Sequence, residues 1–154
     1  MPIPNLGAIL SSNLQIGGNK QETTVAHAYL IAHQNDFDRV AFNVGLGPGI
    51  DLGPGYEPWV QAAATASSKP RADMIGYRGN TATLVEFKGR INPSAMGQLL
   101  TYWHILRQDN PQLLQVYKVV AGNTIQEGLP AIFERYGITI ELYPGANPPP
   151  STTT

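Results

Sequence analysis

Asp73, Glu86 and Lys88 are the residues whose types and spacing could carry chemistry in this chain. Asp73 stands at the head of one short apolar run, Ala72 to Tyr77. Glu86 and Lys88 end the next, which begins at Thr81. Both runs are rich in β-branched or aromatic residues and are separated by Arg78-Gly79-Asn80, the pattern of a β-hairpin. Side chains alternate along a strand, so Leu84, Glu86 and Lys88 share one face while Val85 and Phe87 share the other. Two carboxylates facing each other across a hairpin, with an amine beside one of them, suit a hard divalent cation. Mg²⁺ needs only a few carboxylate or carbonyl oxygens and keeps several waters. The backbone carbonyl of Phe87 offers a further oxygen, and Lys88 would position an attacking water or neutralise charge on a phosphate. The bland alternative is a hairpin with an exposed Glu86/Lys88 pair, worth little energy.

Pro70, Asp73, Glu86 and Lys88 resemble the core motif of the PD-(D/E)XK nuclease superfamily, which cuts phosphodiester bonds with Mg²⁺ or Mn²⁺. The first part is loose, because Asp73 follows Arg71-Ala72 rather than Pro70 directly. Gln98 and Tyr102, one helical turn apart, resemble the Q-x-x-x-Y helix motif of the exonuclease branch. The resemblance spans roughly Glu22 to Tyr143. It implies a restriction-endonuclease-like α/β core, a mixed central sheet flanked by helices in the order α-β-β-β-α-β-α-β. It also implies that Asp73, Glu86 and the Phe87 carbonyl hold the Mg²⁺ (or Mn²⁺), and that Lys88 completes the catalytic set. Gln98 and Tyr102 would support a DNA or RNA strand. The family's first helix often adds an acid, for which Glu22 is the candidate; alternatively Glu22 is a helix N-terminal carboxylate favoured by the macrodipole.

The elements that must position these groups can be read around them. Gln21 to His33 has helical spacing, with Val25, Tyr29 and Ala32 on one stripe and Ala26, Leu30 and His33 beside it. His27 and His33 do not share a face as i, i+4 metal ligands would, and read as structural or exposed. Asp38 to Val44 alternates Val40, Phe42 and Val44 against Ala41 and Asn43, as a first strand does. In the following GLGPGIDLGPGYEPW, Pro48 and Pro54 remove donors that a phosphate-cradling loop needs. A long turn-rich loop is expected there, anchored by Ile50, Tyr56 and Trp59, with Asp51 and Glu57 outside the site. Asn92 is a natural N-cap with Pro93 at the first helical position, and the helix runs to about Arg107. Ala95, Gln98, Leu99, Tyr102 and Leu106 form its inward stripe, flanked by Leu100, Trp103 and His104. Gln115 to Ala121 reads as a buried parallel strand interrupted by Lys118. Thr124 to Tyr136 reads as a helix with a Thr124/Glu127 capping box, a stripe of Leu129, Ile132, Phe133 and Tyr136, and Gly137 as its stop. Ile138 to Tyr143 alternates as a last strand.

Length and composition set the outer bounds. A chain of 154 residues supports one domain and one sizeable core. The expected divisions are an N-terminal arm at 1–18, the α/β domain at 19–143 and a Pro-rich flexible tail at 144–154. The formal net charge of -1 gives no global field for nucleic acid. Yet Lys69, Arg71, Arg78, Lys88 and Arg90 make up half of all Lys and Arg and surround the candidate site in sequence. They read either as a phosphate-contacting rim or as a solvated hairpin face. The absence of Cys excludes disulfides, thiolate metal sites and cysteine catalysis. No apolar run approaches the ~20 residues of a membrane span, so the expectation is no membrane and a cytoplasmic, non-secreted protein, or host cytoplasm and virion if phage-encoded.

Charged residues amount to 14%, with 16 Gly and 13 Pro. Such a surface suits assembly, and a second class of function follows: a nuclease-like fold serving as a structural part, for example a bacteriophage head-tail component forming a ring. A homo-oligomer or larger assembly would then use the N-terminal arm and the 45–59 loop.

Overall fold

The structure is a computed structural model of the chain, and it describes residues 2–46, 54–55, 58 and 71–146. Lys69, Pro70 and most of the 45–59 loop, with its anchors Ile50, Tyr56 and Trp59, lie outside the described residues, as does the tail from 147 onward.

Five strands form one mixed sheet in chain order. They are β1 (Arg39–Gly45), β2 (Arg71–Arg78), β3 (Thr81–Ile91), β4 (Gln115–Ile125) and β5 (Ile138–Leu142). β1, β2 and β3 are antiparallel to their neighbours, whereas β3, β4 and β5 run parallel. Parallel neighbours need crossovers, and α3 (Pro93–Asp109) and α4 (Leu129–Arg135) supply them. Both pack on one face, where Leu84, Ile91, Leu99, Leu106, Val120 and Phe133 make the larger core. α2 (Lys20–Ala32) covers the other face over Met74, Val85, Phe87 and Ala121. Each fully buried Leu or Phe contributes about 1.5–3 kcal/mol, and β3 and β4 place residues in both layers.

The hairpin forms through a two-residue Gly79-Asn80 turn with Gly79 at φ 56°. α3 starts as its sequence dictates: the Asn92 side chain accepts from the Ser94 N–H at 3.1 Å, and Pro93 follows. β4 is parallel and central, and Lys118 lays its ammonium 4.6 Å from the Trp103 ring centroid on the α3 face.

Four expectations are corrected. The N-terminal segment contains a regular element, the short α1 (Leu6–Ser11), and it packs on its own domain: Ile3 and Ile16 are buried in the α2-side core. The Thr124 to Tyr136 helix does not form as read. The parallel ladder runs on through Arg90–Thr124 and Ile91–Ile125, so Thr124 belongs to β4 and the capping box is absent. The helix is confined to Leu129–Arg135 behind Gly128 at φ 87°; Leu129 and Phe133 are buried, whereas Ile132 and Tyr136 are exposed. Ala32 at the end of α2 is likewise exposed rather than on the packed stripe.

The fourth correction concerns β1. Val40 and Phe42 pack on the α2 side, but Val44 and Leu46 pack on the α3 side. β2 does the same, with Met74 on the α2 side and Ala72 on the other. The switch falls at Asn43 and Asp73, the one missing rung between the Phe42–Met74 and Val44–Ala72 pairs. Asn43 takes φ 50°, a left-handed conformation that Asn tolerates better than most residues. Its side chain donates to the Gln15 carbonyl at 2.8 Å. The period-two pattern therefore inverts in both strands at one level, and Asp73 sits at that level.

Candidate active site

β2 and β3 pair regularly from Arg78–Thr81 to Met74–Val85, and the ladder stops there. Beyond it, side chains replace the main chain. The Asp73 N–H donates to Glu86 Oε1 at 3.1 Å, and the Phe87 N–H donates to Asp73 Oδ2 at 3.0 Å. Two carboxyl groups are thus wedged between two separating strands. Within a strand the N–H and C=O of one residue face the same neighbour. Since the Phe87 N–H faces β2, its carbonyl faces the same widening gap.

Glu86 is buried, only 2% exposed, and Asp73 is half-buried beside it. Burial is the main reason that the Glu86 carboxyl is pushed up to about 9; the Asp73 charge adds to it and the Lys88 ammonium opposes it. Asp73 is also raised, chiefly by burial, although the Phe87 N–H and the neighbouring Glu86 favour its ionised form. Both carboxyl groups are thus shifted toward their protonated forms, Glu86 the more strongly.

Glu22 joins them from α2. Its N–H is capped by the Asn19 side chain at 2.9 Å, and its carboxylate accepts from the Gly18 N–H. Burial raises its pKa, Lys88 lowers it and Asp73 raises it again, so it senses both of the other charged members. The local signal was an Asn-x-x-Glu spacing ahead of an apolar periodic run. Gly17 and Gly18 went unread. Gly17 has φ 82°, and a Cβ there would lie 2.9 Å from Glu22 Cβ and 3.6 Å from Asp73 Oδ2. Only a glycine leaves the space between these two acids open.

On the opposite side, Tyr102 is 7% exposed. Its phenol is pushed up to about 12, mainly by burial and then by the charges of Glu86 and Asp73, while a hydrogen bond from Gln98 pulls it down. Gln98 lies beside the phenol, and its Oε1 is a buried acceptor with no partner. Asp73, Glu86, Lys88, Glu22, Gln98 and Tyr102 converge at one end of the sheet. Arg71 and Arg90 lie exposed on the strand ends beside them. Arg78 does not belong: it is five residues from Asp73 at the hairpin tip, about 17 Å along an extended strand. It lines instead a cavity of about 330 Å³ with His33, Thr83 and Tyr117.

Among the described residues no three His, Asp or Glu groups lie close enough to hold an ion by themselves. The donor set still fits a hard cation with a largely hydrated shell: one unbonded oxygen each from Asp73 and Glu86, the Phe87 carbonyl, and a cleft kept open at Gly17. A cation would take the place of the proton that burial favours and relieve the charge pair. Comparison with protein-family models, with curated proteins and with solved structures finds no match.

Proposed function

We propose that the chain is a Mg²⁺- or Mn²⁺-dependent hydrolase of phosphodiester bonds in DNA or RNA. The observation that carries this reading is the Asp73–Glu86 pair, each carboxylate accepting a main-chain N–H from the facing strand at the point where β2 and β3 separate, with Lys88 two residues on along β3. When bound there, a divalent ion supplies Lewis acidity toward a phosphoryl oxygen and makes a nucleophile available near neutral pH. Asp73 and Glu86 hold that ion, each oriented by one main-chain N–H that fixes one oxygen and leaves the other to the cleft. Lys88 faces the cleft, where its ammonium orients the attacking water and offsets charge growing on the phosphate. Gln98 orients the Tyr102 hydroxyl and keeps an unpartnered acceptor for the strand or for a water. Arg71 and Arg90 flank the opening as phosphate contacts.

The test is cleavage of single-stranded, double-stranded and branched DNA and RNA with Mg²⁺ and with Mn²⁺, beside Asp73→Asn and Lys88→Ala. Cleavage lost in both variants, with metal binding retained in Lys88→Ala, supports the assignment. A folded wild-type protein that nicks none of these substrates sinks it, and a large closed oligomer without hydrolysis would point to the structural role.

A further inference from the structure

β5 is an edge strand among the described residues, pairing with β4 alone. The Tyr143 N–H donates to the Gly122 carbonyl at 2.8 Å, which fixes the phase of the strand. Odd-numbered residues face β4, so Ile138, Ile140 and Leu142 turn their N–H and C=O groups to the open edge. Among the described residues, the segment after β5 turns away from that edge: Asn123 of β4 donates to the carbonyls of Tyr143 at 2.9 Å and Ala146 at 2.5 Å, drawing residues 143–146 inward over the sheet.

Edge strands are normally blunted by Lys, Pro, a bulge or an inward charge. β5 has none on its open register. Its single charge, Glu141, lies on the α2 face and is engaged by His33 and the Tyr143 hydroxyl, each at 2.7 Å. Beside the edge, Pro130, Gly137, Ile138, Thr139 and Ile140, with the Glu134 carboxylate at the rim, line a groove of about 400 Å³ between α4 and β5. Leu142 is 44% exposed on the same strand.

We propose that this edge pairs with β5 of a second copy, antiparallel about a two-fold axis through Ile140. The register makes the surface its own complement. Ile140 faces Ile140 of the partner subunit, Ile138 faces the partner's Leu142, and six main-chain hydrogen bonds close the seam. On the α4 face each Leu142 fills the other copy's groove. On the α2 face Thr139 meets the partner's Glu141. A five-residue strand pair is marginal by itself, so groove filling is what makes this contact specific to a second copy rather than to any extended segment.

Sedimentation of the full chain over a concentration series tests it, with Leu142→Glu, which brings a second negative charge to the groove that holds Glu134, and with Ile140→Pro, which removes an outward N–H together with a side chain packed on the α3-side core. The expected result is a dimer whose dissociation constant rises about tenfold or more in each variant, a loss of ~1.4 kcal/mol or more, with the circular dichroism spectrum unchanged. The Ile140 amide should also exchange faster on dilution. If Ile140→Pro does not fold, Leu142→Glu and the amide exchange decide. A wild-type monomer at the highest attainable concentration, or a dimer insensitive to Leu142→Glu with an unprotected Ile140 amide, overturns the proposal.

Discussion

Asp73 and Glu86 are joined by a hydrogen bond from the main chain of one to the side chain of the other, 3.1 Å from the Asp73 N–H to Glu86 Oε1, at the position where the ladder between their strands ends. A sheet contact has been exchanged for a buried carboxyl pair. That exchange costs stability unless a proton or a cation occupies the pair.

The cost is visible in pH. The folded protein retains on Glu86 a proton that the unfolded chain releases in the ordinary carboxylate range, because burial raises its pKa to about 9. Its stabilising effect is therefore complete at acid pH and is lost as pH rises toward 9, at up to about 1.4 kcal/mol per pH unit for one proton. The melting temperature should fall between pH 5 and 9 without divalent ions. Glu86→Gln should remove most of that fall, and saturating Mg²⁺ or Mn²⁺ should do the same in the wild type. A fall equally steep in Glu86→Gln would show that the pair is not its source.

Two histidines should titrate on opposite sides of 6.5. His33 lies between Asp36 and Glu141, 2.7 Å from each, and these contacts outweigh burial and raise its pKa. Its contribution is present below pH 6.5 and lost as pH rises through the folded value. His27 is lowered by burial, with a buried Nε2 that has no partner, so it destabilises the fold as pH falls. NMR titration of the ring protons reads both shifts, and His33→Ala should remove about 1–2 kcal/mol at pH 6.

Asn43 should tolerate Gly but not a β-branched residue. At φ 50° a Val costs about 1–2 kcal/mol. Because Asn43 stands opposite Asp73 at the missing rung of the face switch, Asn43→Val should also reduce cleavage by more than its loss of stability explains. Denaturant melts beside single-turnover rates separate the two effects.

Gly76 fixes the approach of Phe37 to the sheet, since a Cβ there would stand 2.6 Å from the ring. Gly76→Ala should cost about 1–3 kcal/mol. Phe37→Leu should recover part of it in the double variant, so the two changes should be non-additive in urea melts.

Much of this arrangement was legible because local chemistry wrote it. The hairpin follows from two β-branched runs around Gly79-Asn80, and the start of α3 from Asn92-Pro93. Alternation alone put Glu86 on one face of β3 and Phe87 on the other. What periodicity could not supply was any inversion of its own phase. The left-handed turn at Asn43 moves Val44 and Ala72 to the opposite core, and only the pairing of β1 with β2 makes that visible. Thr124 was lost to a strand for a related reason: its capping spacing was sound, but ladder bonds to Arg90 held it extended. Arg78 looked near Asp73 in sequence, and five extended residues carried it to the far end of the sheet.

By itself the sequence determined which side chains could do chemistry and which short elements would carry them, because propensity, capping and alternation act over a few residues. The tertiary structure decided that Glu22, from a helix some fifty residues earlier, would face Asp73, and that two acids would each accept a main-chain N–H from the facing strand. Those outcomes depend on long-range strand pairing and on burial, and neither has a local signature.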